Sequence, residues 1–206
     1  MGPDPLETKM TESTDSFDLV VRALSFAAGM HRDQRRKNVA RTPYIEHPIE
    51  VMRLLWAAGV RDPLVLAAAL LHDTLEDTPA TPEDLAAEFG ADVAAIVGHV
   101  TDDKGIPKHD RKRLAIAHAP FAPPQAQLVK LADRIANCAG MSTEPPAGWS
   151  AQRIGQYYDW SRQVVDGLRG VHGGLEARFD AILAGVEVIP WAPVDSQRDA
   201  AAAGEA

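Results

Sequence analysis

Only one cysteine, Cys138, occurs in the 206 residues, which excludes an internal disulfide framework and a multi-cysteine zinc site. Long apolar runs are missing too. The longest, Leu64 to Leu71, covers eight residues and stops at His72 and Asp73, whereas a bilayer needs about 20. Positive charge is in deficit: 21 basic against 29 acidic residues leave a net charge of −8. A general nucleic-acid binder is usually basic overall, so no nucleic-acid partner is expected. The N-terminal MGPDPLETKMTESTDS is acidic and polar, where an export signal is basic and then apolar. One thiol and no such signal point to a reducing cytoplasm and to no membrane partner.

What is present is enough apolar material for a core: 46% of residues are hydrophobic, which excludes disorder across the whole chain. The pattern is helical throughout. Phe17, Val20, Val21, Leu24, Ala28 and His31 recur at three- and four-residue spacing, the helical period, with Ser16 as the cap. His47-Pro48 opens a second helix that Gly59 stops, and Asp62-Pro63 opens a third. That third helix is apolar all round, the mark of a central, buried one. Thr81-Pro82 opens a fourth and Val93 to Val100 form a fifth. Further helices are read near Arg111 to His118, after Pro123-Pro124, from Trp149-Ser150 to Leu168, and from Leu175 to about Val186. No segment alternates as a strand would. The fold class is all-α, with about eight to ten helices over residues 16–189, a flexible tail over 1–15 and a loosely docked tail over 190–206.

Polar residues set into apolar helices carry the chemical information. His72 and Asp73 end the most apolar helix, where burying an imidazole and a carboxylate is costly without a partner. A metal ion is one partner; a histidine cap with a structural aspartate is the other reading of the dipeptide alone. Glu76 and Asp77 follow at once in LLHDTLEDT, placing four titratable residues within six positions. If the helix continues, His72 and Glu76 share one face and Asp73 and Asp77 another, and a carboxylate beside a metal can act as general base. PYIEHP fixes His47 at a helix start. VKLADRIAN puts Asp133 on an apolar stripe with Asn137 four residues on, where Asp133 would either bind metal or pair inward with Arg134 or Lys130. Two histidines and two carboxylates without thiolate suit Mn²⁺, Fe²⁺ or Zn²⁺.

Two basic clusters stand out in this acidic chain: Arg32, Arg35, Arg36 and Lys37, then Lys104, Lys108, Arg111, Lys112 and Arg113. Beside a metal they suggest a polyphosphate pocket; otherwise they are a solvated face. Trp149, Tyr157, Tyr158 and Trp160 either stack on a base or fill the core. His99, His109, His118 and His172 are read as surface or structural, and Cys138 as a packed small residue.

The ordered set His31-x-x-Gln34-x-Arg36-Lys37, PYIEHP, LLHDTLEDT, FGADVAAIVGHVTDDK and LVKLADRIAN resembles the HD-domain hydrolases of the RelA/SpoT superfamily. VTDDKGIPKHDRKRL and GWSAQRIGQYYDW look most like its stand-alone branch, the small alarmone hydrolases of the metazoan SpoT-homologue type. The match runs from about Phe17 to Gly185. It implies an HD-domain helical bundle and one Mn²⁺ on His47, His72, Asp73 and Asp133. Glu76 and Asp77 fall on the pair that helps activate water. Arg36, Lys37, Lys108 and Arg113 match positions near the base and phosphates. Asn137 matches an asparagine beside the nucleoside, and Tyr157 a pocket-lining tyrosine. The implied reaction removes the 3′-pyrophosphate of ppGpp or pppGpp, giving GDP or GTP and pyrophosphate; the resemblance covers degradation of this alarmone and not its synthesis. The same site would also suit (p)ppApp or the 2′-phosphate of NADPH, and a reading of another class is an inactive nucleotide sensor. Two stretches depart from the family. Asn38-Val39-Ala40-Arg41-Thr42 replaces a shorter glycine-containing loop, and Ala136 and Ala139 replace a histidine and an arginine after Asp133.

Overall fold

Ten α-helices and one 3₁₀ turn make up the computed structural model, which describes residues 5–192. In chain order they are α1 (Pro5–Met30), α2 (Glu46–Ala57), α3 (Pro63–Leu71), α4 (Thr74–Asp77), α5 (Pro82–Phe89), α6 (Ala91–Val100), α7 (Lys108–His118), the 3₁₀ turn Ala119–Phe121, α8 (Pro124–Thr143), α9 (Ala151–Asp166) and α10 (Gly173–Leu183). No strand occurs among the described residues; two isolated β-bridges, Arg35 with Pro43 and Asn38 with Pro146, pin loops. None of the described helices is long and apolar enough to cross a membrane.

The all-apolar α3 is the axis of the molecule. Asp62 caps it by accepting from the Leu64 amide at 2.9 Å, Pro63 takes the first turn, and Val65 through Leu71 are all buried. Its surface is covered by α1, α2, α6 and α8. A helix with neighbours on every side has no use for a polar face, which is why its sequence shows none.

Local chemistry sets the other boundaries. Thr81 and Asp84 form a reciprocal capping box on α5. Gly90, at φ +89°, ends α5 and begins α6, a conformation that a Cβ disfavours. Ser150 caps α9 at the Arg153 amide, and His172 caps α10 through Nδ1 to the Leu175 amide.

Two expected boundaries shift. Helix α1 begins at Pro5 rather than at a Ser16 cap. Proline suits a first turn, and Leu6, Glu7, Lys9 and Met10 are good helix formers. The chain past α10 docks as far as Trp191: the Ile189 amide donates to the Gly155 carbonyl, and the Trp191 amide to Asp159. The rest of the expected tails at 1–15 and 190–206, residues 1–4 and 193–206, lies outside the described residues.

The axis ends where the apolar run does, and the helix does not continue unbroken to Asp77. Helix α3 ends at Leu71, His72 and Asp73 occupy a turn, and α4 follows. The Thr74 hydroxyl bonds back to the Leu71 carbonyl at 2.6 Å, a local competitor to the helix ladder.

Candidate metal centre

Three elements converge on one point. His47 sits in the first turn of α2, His72 and Asp73 in the turn after α3, and Asp133 midway along α8. Because α2 and α8 both pack on α3, these side chains meet in the interior. Ligand atoms of His47, His72 and Asp133 all lie within 4.8 Å of one another. His47 Nε2 is 3.0 Å from Asp133 Oδ1 and 3.7 Å from Asp73 Oδ2. His72 Nε2 is 3.1 Å from Asp73 Oδ2 and 3.7 Å from Asp133 Oδ1.

The arrangement fits a cation. His72 Nδ1 donates to the Ala69 carbonyl at 2.8 Å, which leaves the Nε2 lone pair facing the carboxylates. That Nε2 is buried and has no hydrogen-bond partner. A lone pair set against two carboxylates is tolerable only if a positive charge lies between them. Without metal a proton serves: burial opposes it, yet Asp73 and Asp133 hold the His72 imidazolium well above the usual histidine range. His47 moves the other way, pushed down by burial. Burial favours neutral carboxyls as well, but the His72 charge keeps Asp73 below the ordinary range, and Arg134 with the histidines does so for Asp133. Preformed anions beside imidazole nitrogens suit a divalent cation.

The surrounding groups aim these ligands. Tyr44 Oη donates to Asp73 Oδ2 at 2.6 Å. Burial and the Asp73 charge push this phenol far up, so it stays a donor at any working pH. Asn137 Nδ2 donates to Asp133 Oδ1 at 2.6 Å, and Arg134 pairs with Asp133 Oδ2. Sequence reasoning passed over Tyr44, although it lies three residues before His47 in PYIEHP, and treated Arg134 only as an alternative to metal. Replacing Tyr44 with phenylalanine is expected to weaken metal affinity by about 10- to 100-fold, read by titrating the metal-stripped protein with Mn²⁺.

The two acids that follow are consecutive in α4 and so project about 100° apart. Glu76 borders the small cavity of about 70 Å³ beside His72, Asp73 and Asp133. Its carboxyl is pushed up to about 7 by burial, then by Asp102, Asp73 and Asp77, with Lys104 opposing. Asp77 instead borders a second cavity of about 390 Å³, pairs with Lys104 and accepts from Gln34 Nε2 at 3.4 Å. His72 and Glu76 thus share a cavity wall, whereas Asp73 and Asp77 face different cavities.

That second cavity gathers Arg36, Lys37, Asn137 and Tyr157 beside Tyr44. The loop carrying Arg36 and Lys37 is firmly built despite its departure from the family pattern. Arg36 N donates to the Thr42 carbonyl at 2.8 Å, the Ala147 amide donates to the Lys37 carbonyl at 2.7 Å, and the Asn38 amide group reaches Glu144. Arg41, at φ +51°, occupies the left-handed conformation that glycine usually fills. A third cavity of about 610 Å³ adjoins, bordered by Lys108, Lys112, Arg153 and Trp191 and sharing Trp149 and Tyr157 with the second.

Arg113 is not brought to this site. Its side chain is 64% exposed and paired with Asp110. Lys108 and Lys112 stand four apart on one face of α7, while the next residue is turned by about 100°. Lys112 joins Lys108 at the third cavity, while Arg111 turns to Glu76. Cys138 is buried and its thiol is pushed up to about 11, chiefly by burial, which suits a packed residue and not a nucleophile.

Comparison with known proteins agrees with this geometry. The HD domain family matches residues 23–156. A Xenopus tropicalis protein named guanosine-3′,5′-bis(diphosphate) 3′-pyrophosphohydrolase MESH1 is 49% identical over 163 residues, 79% of this chain and 91% of that protein. The Homo sapiens protein of the same name is 49% identical over 158 residues, 76% of this chain and 88% of that protein. A solved structure, described as a metazoan orthologue of SpoT that hydrolyses ppGpp and plays a role in starvation responses, superposes with a TM-score of 0.79 at 43% identity, covering 81% of this chain and 94% of that one. The chain therefore belongs to the HD-domain family, among the relatives of RelA/SpoT hydrolases typified by the metazoan SpoT orthologue.

Proposed function

We propose that this chain is a Mn²⁺-dependent (p)ppGpp 3′-pyrophosphohydrolase that works in the cytoplasm. One observation carries the reading: a buried cluster of two histidines and carboxylates opens beside a cation-lined cavity of about 390 Å³, in a chain 49% identical to named hydrolases of this reaction. The balanced reaction is ppGpp plus water to GDP plus pyrophosphate. Water oxygen bonds to the phosphorus on the 3′-oxygen, that P–O bond breaks, water gives up a proton and the departing 3′-oxygen gains one.

His47, His72, Asp73 and Asp133 would hold the cation, which when bound supplies Lewis-acid polarisation of a phosphoryl oxygen and acidification of water. Glu76 borders the same small cavity and, with a carboxyl near neutrality, is suited to take up and return a proton. Asp77, held by Lys104 and Gln34, orients the nucleotide side of the site. Arg36 lies over the Tyr44 ring, 6.0 Å from its centroid, at the cavity wall, where a planar guanidinium can stack on a purine or pair with phosphate. Arg36→Ala is expected to raise KM about tenfold with kcat little changed, the loss of one charge-assisted contact, checked by steady-state kinetics.

The reading is tested by ³¹P NMR of ppGpp with purified protein, with Mn²⁺ and with chelator. Metal-dependent appearance of GDP and pyrophosphate supports it. Release of single phosphate, or faster turnover of NADPH than of ppGpp under the same conditions, overturns it.

A further inference from the structure

The chain does not end its packing at α10. It returns across α9, and two features show that this return is built. Gly155 is buried on α9, and a Cβ there would stand 2.6 Å from Ile189 Cγ1, so the glycine admits the returning backbone. Asp159, with a side chain only 8% exposed, spends one oxygen on the Trp191 amide at 2.9 Å and on Gln163 at 2.8 Å. Gln163 Nε2 in turn donates to the Trp191 carbonyl at 3.1 Å. Both backbone polar groups of Trp191 are thus held by α9 side chains.

The ring so positioned faces a lysine. Lys112 Nζ lies 4.7 Å from the Trp160 centroid, 5.4 Å from Trp191 and 5.6 Å from Tyr157. Three rings around one ammonium favour its charge, but none of the ion pairs among the described residues gives Lys112 a carboxylate. Burial, then Lys108, Arg134 and Arg153, push it down to about 8. A half-buried cation among three others, with no anion of its own, calls for one from outside. Lys112, Lys108, Arg153 and Trp191 border the third cavity, which meets the nucleotide cavity at Trp149 and Tyr157.

We propose that the C-terminal return is a wall of the substrate site, with Trp191 holding the Lys112 ammonium over the third cavity, where it receives the 5′-phosphate chain of the nucleotide. The inference rests on the (p)ppGpp reading. With the reacting 3′ end at the metal cluster and the nucleoside in the second cavity, the 5′ arm is what remains to fill the third. Lys112 is a binding residue here and Trp191 its positioning residue.

The test measures binding of GTP, GDP and guanosine by calorimetry alongside steady-state kinetics with ppGpp. Wild-type protein should bind GTP more tightly than guanosine. In Trp191→Ala and in Lys112→Met, GTP affinity should fall about tenfold while guanosine affinity holds. KM for ppGpp should rise by a similar factor, with kcat and Mn²⁺ content unchanged. Trp191→Phe, which keeps a ring over the lysine, should restore most of the GTP affinity. Wild-type GTP affinity in both Trp191→Ala and Lys112→Met would overturn the inference, as would an equal loss for guanosine. Absence of ppGpp turnover by the wild-type protein would count against the function reading instead, a result the GTP measurement does not share.

Discussion

Replacing Asp73 with alanine is expected to strip the metal and to cut turnover by about 10³-fold. Asp73 faces the unpartnered Nε2 of His72 at 3.1 Å and lies 3.7 Å from that of His47. If Asp73 is a ligand as proposed, its removal takes one carboxylate from a centre whose remaining donors would be His47, His72 and Asp133. Lewis-acid assistance is worth several kcal/mol to a phosphoryl transfer, and about 4 kcal/mol is roughly 10³-fold in rate. A fall of that order is expected in kcat/KM. Elemental analysis after dialysis should show metal lost in parallel. Asp73→Asn separates charge from shape: it retains the Tyr44 contact but removes the negative charge, and should lose metal nearly as completely. Unchanged metal content in Asp73→Ala would mean that Asp73 is a structural partner of His72 and Tyr44 and no ligand.

The linear sequence shows some of this site clearly, for a physical reason. A histidine and an aspartate at the end of the all-apolar α3, and an aspartate on the apolar stripe of α8, are costly to bury alone, and the fold brings these polar residues to one point. The helix starts were equally visible where their signals are local, as at Asp62-Pro63, Thr81-Pro82 and Trp149-Ser150, where the structure places caps. What escaped depends on contacts between distant segments. Nothing near Tyr44 announces that its hydroxyl reaches Asp73, 29 residues on. The choice between Lys112 and Arg113 turns on the rotational setting of α7, which its packing against α9 fixes. The return of Trp191 onto Asp159 joins residues 32 apart. The end of α3 at Leu71 was legible in the apolar run, but the short α4 that follows was not, and the Thr74 hydroxyl bond to the Leu71 carbonyl between them has no signature in the hydrophobic pattern.

The different settings of Glu76 and Asp77 underlie the second large effect. With Glu76 on the metal side and Asp77 on the nucleotide side, the two acids are expected to fail differently when changed. Glu76→Gln keeps the shape and removes the base, so kcat should fall by about 10²- to 10⁴-fold with KM and metal content little altered. The pH dependence supplies the sign. Burial, then Asp102, Asp73 and Asp77, push this carboxyl up to about 7 against Lys104, and Arg111 Nη1 lies 3.4 Å from its Oε1. A general base works only when ionised, so turnover declines as pH falls through its pKa. The charge of a bound cation moves that limb to the acid side of 7. In Glu76→Gln the limb should disappear from the residual activity. Stability runs in the opposite sense. A carboxyl whose folded pKa lies above its unfolded value destabilises the fold where it is ionised, above about 7 here, and this penalty fades as pH drops toward the unfolded value near 4.5. Metal-free Glu76→Gln should therefore melt at a higher temperature than wild type at pH 8, with the gap closing at pH 5. A loss of activity with the acid limb intact would assign the base elsewhere. A lower melting temperature at pH 8 would show that the Arg111 contact outweighs the cost of burying the charge.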